Sequence, residues 1–198
     1  MVQGTSSHAT VETRVLNAAK ACVEHWGIAK VTIDDIANEA GVSRATLYRM
    51  FPGGKEVLFD SLRVRELEDF FTRLSGHLDH AENIEDLLVR IVVAATHELR
   101  RDQHLAAMLA SEPGDTLGQL TVEGLPRIIR VATVFLVPLV DEYLPRRESA
   151  RLVELLARLV ISYFLAPSDQ VDLGDAESAH TFITTFILPA FTAALIRS

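Results

Sequence analysis

The chain has 198 residues, of which 48% are hydrophobic and 23% charged, a balance that excludes a disordered protein and allows a sizeable core. Its single cysteine excludes an internal disulfide, and with no signal-peptide pattern at the N-terminus we expect a cytoplasmic protein. The formal net charge is -8, but residues 1–65 carry 8 Lys and Arg against 7 Asp and Glu, whereas the remainder carries 11 against 20. Any anionic partner is therefore expected to meet the N-terminal third.

Apolar residues recur at helical spacing along the chain, and no convincing strand alternation is present. The first nine residues are predicted to be a mobile tail, and a first helix covers residues 10–26 and stops at Gly27. The run TIDD then predicts a capping box, with Thr32 as N-cap and Asp35 three positions later. Gly41 ends this second helix.

Ser43 is the predicted N-cap of a third helix, which Pro52-Gly53-Gly54 ends. Val42 and Leu47 can form a hydrophobic staple across its first turn. On a helical wheel the side chains divide into an apolar back and an outward face of small, hydroxyl, aromatic and cationic groups. The back holds Leu47, Met50 and Phe51, and the face holds Ala45, Thr46, Tyr48 and Arg49. Two short helices joined by a turn at Gly41, the second with such a face, form a helix-turn-helix.

The remaining chain is also predicted to be helical. A fourth helix covers residues 55–78, and later helices cover residues 83–101, 104–112, 119–143, 146–166 and 175–197. Breaks fall at Pro113-Gly114, at Leu144-Pro145 and in the loop APSDQVDLGD. Residues 178–196 carry no formal charge and approach the length of a bilayer span. Their threonines, histidine and proline, with an apolar stripe, favour a helix buried against other helices over a membrane anchor.

The outward face of the third helix suits the major groove of duplex DNA, which is about 12 Å wide and admits one helix. Arg49 supplies a guanidinium group that can bind guanine bidentately, Thr46 supplies a methyl for thymine, and Ala45 lets the backbone approach, while Arg44 is a further candidate for DNA contact. Phosphate contacts are predicted for Thr32, Ser43, Tyr48 and Lys55. On composition alone an alternative has equal weight, in which the hydroxyls only cap helices and the cations only solvate a surface.

The run TIDDIANEAGVSRATLYRMFPGGKEVL resembles the DNA-binding region of the TetR family of bacterial transcriptional regulators. The family pattern has a threonine at the second helix, an Ile-Ala-x-x-Ala-Gly-Val-Ser turn, a Leu-Tyr-x-x-Phe recognition helix and a Lys-Glu pair opening the fourth helix. The residues that match in order are Thr32, Ile36, Ala37, Ala40, Gly41, Val42, Ser43, Leu47, Tyr48, Phe51, Lys55 and Glu56.

Three features depart from the family pattern. Met50 stands where many members have histidine or tyrosine, which removes a donor for phosphate or base. The turn Pro52-Gly53-Gly54 is one residue longer than is common, so Lys55 is expected to meet a different phosphate or none. No basic arm precedes Arg14, so a minor-groove contact by the tail is not expected.

The resemblance implies an all-α fold of about nine helices that forms an Ω-shaped homodimer. It implies a three-helix DNA-binding domain over residues 10–56 and a ligand-binding and dimerisation domain over residues 57–198. The last two long helices would form a four-helix bundle with those of the partner chain. A bound ligand would move the fourth helix and take the DNA-binding domains out of register with the groove.

The middle helices offer candidates for an effector pocket, although each is more often plain core than ligand wall. These candidates are Leu88, Ile91, Val92, Thr96, His104, Met108, Thr133, Phe135, Tyr163 and Phe164. Few charged residues interrupt them, so a neutral or apolar effector is expected.

Enzymatic and metal chemistry find little support in the sequence. Cys22 lies on the apolar face of the first helix and is expected to be a buried structural thiol. His77, Asp79 and His80 are the nearest thing to a metal cluster, at a predicted helix end, and neither a metal nor a cofactor is expected.

The predicted function is a ligand-responsive transcriptional regulator, most simply a repressor. It would bind a palindromic operator in double-stranded DNA as a homodimer and be released by a small, largely apolar effector. Two alternatives stay open: an all-α small-molecule or lipid-binding protein or enzyme without DNA binding, and a regulator anchored in a membrane by its last helix.

Overall fold

The computed structural model describes residues 4–111, 113–122 and 124–195, without the side chains of 4–10, 104, 107, 108, 111, 115, 119 and 192–195. The regular elements of this part of the chain are all helices. In chain order they are α1 (Gly4–Trp26), α2 (Ile33–Ala40), α3 (Arg44–Met50), α4 (Lys55–Ser75), α5 (Ile84–Arg101), α6 (Gln103–Ser111), α7 (Pro113–Leu120), α8 (Leu125–Val140), α9 (Arg146–Leu165), α10 (Ala176–Phe182), a π-helical segment (Ile183–Ile187) and α11 (Leu188–Leu195). The prediction of an all-α chain with about nine helices is confirmed.

Two segments differ from the helices predicted from sequence. The first helix begins at Gly4, so helical backbone covers most of the predicted tail. The segment Pro113–Leu120, in which a break and the start of a longer helix were expected, forms the separate helix α7. Pro113 is its first residue, a position where a proline is tolerated because the missing N–H has no intrahelical partner.

The chain divides into two compact units, Met1–Glu66 and Leu67–Ser198. The predicted domain boundary at residue 56 falls within the first unit. The physical reason is that the first turns of α4 bury Leu58, Phe59 and Leu62 in the apolar core formed by α1, α2 and α3. That core also contains Ile36 and Leu47, both fully shielded from solvent. Helix α4 therefore begins in one unit and ends in the other.

The predicted capping box at the start of α2 is present. The Asp35 backbone N–H donates to Thr32 Oγ1 at 3.2 Å, and the Thr32 backbone N–H donates to Asp35 Oδ2 at 2.9 Å. The Thr32 hydroxyl also donates to Asp35 Oδ2, and this bond, followed by that from the Thr32 backbone N–H, holds the pKa of the Asp35 carboxyl below its usual value. At the other end Gly41 adopts a left-handed conformation with φ of 62°, which glycine reaches without the penalty that a Cβ brings.

The second unit is a helical body built on α5, α8 and α9, with the end of α4 and the last helices packed against them. Its most deeply buried side chains are Leu74, Leu88, Leu152, Leu156 and Ile183. The loop between α9 and α10 is fixed to α5, because Arg100 Nη2 donates to Asp172 Oδ1 at 2.7 Å. No helix in the described ranges combines the length and the apolar character that crossing a membrane requires.

The last helix changes its winding near its middle. The Leu188 N–H bonds to the Ile183 carbonyl five residues earlier, which is the π-helical pattern. Pro189 follows directly and has no N–H to donate, so the ordinary ladder cannot continue unchanged across this point. The π segment keeps Ile183 and Ile187 buried and leaves Phe186 66% exposed.

The capping box predicts the effect of removing the Thr32 hydroxyl. Thr32→Ala should lower the unfolding free energy of the first unit by about 1 kcal/mol, because the first turn of α2 loses an acceptor. Thr32→Ser should retain most of this unfolding free energy. Trp26, the only tryptophan of the chain, lies in this unit, so denaturant unfolding followed by its fluorescence reports on the unit directly. Equal stability of Thr32→Ala and the parent would contradict the assignment.

Candidate nucleic-acid interface and apolar cavity

Helix α3 presents one side to the core and the other to solvent, as its sequence predicts. Leu47 is fully buried and Phe51 is 3% exposed, whereas Tyr48 is 41% exposed. We name the exposed side the α3 face. Its members are Ser43, Arg44, Ala45, Tyr48 and Arg49, with Thr46 half-buried at its edge. Among the described residues, Arg49 has no hydrogen bond or ion pair, so its guanidinium is available to a partner.

The two predicted phosphate-binding hydroxyls are already engaged in helix caps. Ser43 Oγ accepts from the Thr46 backbone N–H at 3.1 Å and lies 2.9 Å from Thr46 Oγ1. Thr32 Oγ1 donates to Asp35 Oδ2 at 2.6 Å. Both hydroxyls therefore shape the helix starts in this structure, and a phosphate that reached Thr32 would meet the Asp35 carboxylate. A phosphate contact by either residue requires an exchange of partners.

Lys55 is half-buried at the start of α4. Its Nζ donates to the Ile28 carbonyl at 3.0 Å and lies 5.4 Å from the centroid of the Phe59 ring. The ammonium thereby ties the start of α4 to the loop that precedes α2. This arrangement follows the longer turn before Lys55, and a contact between Lys55 and phosphate stays a prediction.

Arg44 and Tyr48 form a joined pair on the α3 face. Arg44 Nη1 donates to Asp34 Oδ2 of α2 at 3.1 Å, and its guanidinium carbon lies 5.6 Å from the centroid of the Tyr48 ring. The Tyr48 side chain, followed by the nearby Asp34 carboxylate, raises the pKa of Arg44 above its usual value. The Arg44 guanidinium is cationic at every physiological pH, as arginine is in proteins generally.

The lengthened turn before α4 approaches the ring of Tyr48 closely at Gly54. Gly54 has a left-handed φ of 65°, and a Cβ placed on it would lie 3.2 Å from Tyr48 Cε1. The glycine thus serves two needs, a positive φ and a close approach to the ring. Sequence reasoning identified the extra residue but not this contact, because the contact joins two segments that only the folded turn brings together.

The second unit contains a partly open cavity of about 100 Å³ between α4, α5, α7, α8 and α9. Every residue that lines it is aliphatic or phenylalanine. The lining residues are Leu67, Phe70, Phe71, Leu74, Ile91, Ala95, Leu99, Leu120, Ile128, Ala132, Leu136, Val153, Leu156, Ala157, Val160 and Ile161. A polar ligand atom placed there would lose its hydration and gain no hydrogen bond from these side chains.

Of the predicted effector-binding residues, Ile91 lines this cavity. Leu88 and Val92 are buried on the same helix but belong to the surrounding core. Thr96 and Thr133 bond their hydroxyls within their own helices, to the carbonyls of Val92 and Ile129, both at 2.7 Å. Neither hydroxyl therefore reaches into the cavity.

The predicted aromatic residues also lie away from the cavity wall. Phe135 stacks on Phe71 at 5.9 Å between ring centroids, and Tyr163 meets Phe182 edge-on at 5.7 Å. Phe164 is half-buried on α9. The side chains of His104 and Met108 lie outside the described residues. The prediction missed every lining residue of α4, α7, α8 and α9, because these residues recur at helical spacing but carry no signal of which helix they face.

Cysteine chemistry and metal binding find no support among the described residues. Cys22 is 2% exposed, and burial, with the charges of Glu39 and Asp35, raises the pKa of its thiol, so it is not an activated nucleophile. Across the described ranges, no three His, Cys, Asp or Glu side chains are grouped closely enough to hold a metal ion.

Comparison with known proteins agrees with the geometry of the first unit. Residues 15–62 match the family described as bacterial regulatory proteins, tetR family. An uncharacterized HTH-type transcriptional regulator of Mycobacterium tuberculosis is 31% identical over 140 residues, which cover 67% of this chain and 71% of the relative. The chain belongs to the TetR family. It is therefore a DNA-binding transcriptional regulator with a helix-turn-helix, and not an enzyme.

Solved structures of two other regulators share the fold. The TetR family repressor AlkX from Dietzia sp. has a TM-score of 0.66 at 24% identity, and the match covers 90% of this chain and 95% of that one. The fatty acid degradation regulator FadR from Bacillus halodurans has a TM-score of 0.54 at 19% identity, with coverage of 89% and 96%. Family membership argues against the alternative of a carrier or enzyme that does not bind DNA.

The support of Tyr48 by Gly54 predicts a difference between two glycine substitutions. Gly54→Ala and Gly41→Ala should each lower stability by about 1–2 kcal/mol, because both positions have a left-handed φ. Only Gly54→Ala should weaken DNA binding of the folded protein, since no atom lies within 4 Å of a Cβ at Gly41. Denaturant unfolding and DNA titration of both variants measure the two effects, and equal losses of DNA affinity would contradict a role for Gly54 in placing Tyr48.

Proposed function

We propose that this regulator is a repressor that binds a palindromic operator as a homodimer and leaves it when a small apolar effector occupies the cavity. The observation that carries the proposal is the α3 face, which keeps Arg44, Ala45, Tyr48 and Arg49 exposed while Leu47 holds the opposite side in the core. A helix with an anchored apolar back and a cationic outer face fits the major groove. Its action on promoters would take place in the cytoplasm.

Base reading is assigned to the part of the α3 face with no internal partner. Arg49 can bind O6 and N7 of guanine with two hydrogen bonds, and Ala45 brings no side chain that would hold the helix away from the base edges. The methyl group of Thr46 is suited to thymine. Contacts to the DNA backbone are assigned to Thr32, Ser43, Tyr48 and Lys55, which secure the register without reading sequence.

A homodimer follows from the way such a surface reads DNA. One α3 helix covers only a few base pairs, so two copies bind half-sites one helical turn apart, about 34 Å, and a two-fold dimer reads an inverted repeat. The last two long helices are the proposed contact. An aromatic series runs outward there from Tyr163 through Phe182 to Phe186, with ring centroids 5.7 and 5.6 Å apart. Exposed aromatic residues of this kind are common anchors of protein interfaces.

The cavity determines the class of effector. A lining without polar side chains favours a neutral hydrocarbon group over a carboxylate or an amine. The volume of about 100 Å³ suits a short apolar molecule, and a longer one must move a wall. One wall is α4, which begins in the core of the DNA-binding unit, so its displacement is the proposed link to DNA release. AlkX and FadR are described with n-alkane biodegradation and fatty acid degradation, which is compatible with an apolar effector.

Selection of bound sequences from random duplex DNA tests the proposal as a whole. We expect enrichment of one inverted repeat with half-sites about one helical turn apart. An enriched single site without symmetry would contradict the dimer. Absence of any enriched sequence would contradict specific recognition by the α3 face.

Arg49 provides the sharpest test of base reading. Arg49→Ala should weaken binding to the selected duplex by about 1–3 kcal/mol and relax the preference at one base pair. Arg49→Lys keeps the charge but loses the planar fork, so it should retain affinity for random DNA and still lose that preference. Titrations on the selected duplex and its single-base variants measure both. If Arg49→Lys discriminates as the parent does, Arg49 contacts only phosphate.

Two exposed apolar residues allow a matched test of the dimer contact. Phe186→Arg should weaken the dimer by about 2 kcal/mol or more, because it places a charge at a proposed anchor position. Val134→Arg on α8 changes a side chain with nearly the same exposure, 68% against 66%, outside the proposed contact. Sedimentation of each variant over a range of concentrations gives the dissociation constant. Loss of the dimer in Val134→Arg alone would place the interface on α8.

A larger side chain in the cavity should separate effector response from DNA binding. Ala132 lines the cavity and is buried, whereas Ala94 on α5 is half-buried and does not line it. Ala132→Leu should fill the space and abolish release from DNA by short linear alkanes, and Ala94→Leu should keep it. Operator titrations with alkanes, and with carboxylates of matching length, measure the response. Release of Ala132→Leu by the same alkanes would show that they bind elsewhere.

A further inference from the structure

The α3 face has an acidic neighbour, Asp34, whose place at the start of α2 suits the helix dipole but whose charge opposes the approach of DNA. Asp34 lies in the first turn of α2, its side chain is 59% exposed, and its Oδ2 accepts from Arg44 Nη1 at 3.1 Å. The capping box of the same turn uses Asp35 and leaves Asp34 free for another partner. Because a carboxylate beside a DNA-binding surface repels phosphates, Asp34 should oppose binding unless it improves something else.

The contacts of Arg44 indicate that Asp34 improves the alignment of the Arg44 guanidinium. Its guanidinium is held on one side by the Asp34 carboxylate and on another by the ring of Tyr48, which in turn packs against Gly54. These two contacts favour one orientation of a long flexible side chain that is 61% exposed, which reduces the entropy lost when it binds. With Nη1 engaged by Asp34, the edge formed by Nε and Nη2 stays available for a bidentate contact.

The position of Arg44 in the helix suits base reading. It is the first residue of α3, and recognition helices contact base edges with their N-terminal residues. Bidentate contact of arginine with guanine O6 and N7 is the commonest specific contact in the major groove. A phosphate can bind an arginine in many orientations. The bidentate contact with guanine requires an aligned guanidinium, so prior alignment favours guanine over phosphate.

We propose that Arg44 reads a guanine and that Asp34 is its positioning residue, acting with Tyr48 to align the guanidinium and to keep it from binding phosphates indiscriminately. The inference rests on the proposed recognition of a specific operator. Asp34 increases discrimination between sequences while it lowers affinity for DNA in general. Gly54 belongs to the same array, because its lack of a Cβ lets Tyr48 take the place where it meets Arg44.

A matched pair of charge removals tests the role of Asp34. Asp34→Asn and Glu39→Gln each remove one negative charge from an exposed position of α2, but only Asp34 contacts Arg44. Both should tighten binding to random DNA by similar factors. Only Asp34→Asn should reduce the ratio of affinities for the selected duplex and for the same duplex with 7-deazaguanine at one guanine, by about fivefold. Asp34→Glu should restore part of the ratio.

A double-mutant cycle connects the effect to Arg44. In an Arg44→Ala background, Asp34→Asn should no longer change the ratio, because the side chain that it positions is absent. Unfolding followed by Trp26 fluorescence checks that each variant keeps its first unit folded. If the parent protein enriches no sequence, the operator proposal and this inference both fail. If the parent discriminates and Asp34→Asn behaves as Glu39→Gln does, or keeps its effect without Arg44, only the role of Asp34 is overturned.

Discussion

The burial of Leu47 is the constraint on which the recognition surface depends. This side chain is fully buried among the apolar residues of α1, α2 and α4, and burial of a leucine contributes roughly 1.5–3 kcal/mol. Exposed hydrogen bonds and ion pairs of α3 are individually weaker, so the apolar back, and not the charged face, sets the rotation of the helix. Once that rotation is fixed, the helical period places Ala45, Tyr48 and Arg49 outward. Gly41 and the Ser43 cap then fix where the helix begins.

Most polar groups on and beside the α3 face already have a partner within the protein, so the face is not a simple accumulation of positive charge. Lys55 bonds to a backbone carbonyl, the hydroxyls of Thr32 and Ser43 complete caps, and Arg44 is shared by a carboxylate and a ring. These contacts restrict the motion of each group before DNA binds. A phosphate must displace the internal partner in order to bind the group. Arg49 alone among the cations of the α3 face has no such internal partner within the described residues, which is why base reading is assigned to it first.

Local patterns predicted the helix-turn-helix well because its determinants are close in sequence. The Thr32–Asp35 box, the stop at Gly41 and the Ser43 cap all depend on residues at most a few turns apart, and the helical period alone places Leu47 on the apolar side of α3. The cavity was not predicted, apart from Ile91, because its walls come from five helices whose mutual packing leaves no local signature. The break predicted at Pro113 was instead the start of α7, because a proline that breaks a helix interior is tolerated at the first position of a helix. The approach of Gly54 to Tyr48 required the folded turn.

The central claim, that the α3 face enters the major groove, is tested most directly by methylation interference on the selected duplex. Methyl groups on guanine N7 lie in the major groove, and those on adenine N3 lie in the minor groove. Interference is expected from N7 methylation at guanines within both half-sites, and none from N3 methylation. Binding that tolerates every N7 methyl group but fails with N3 methylation would contradict the account.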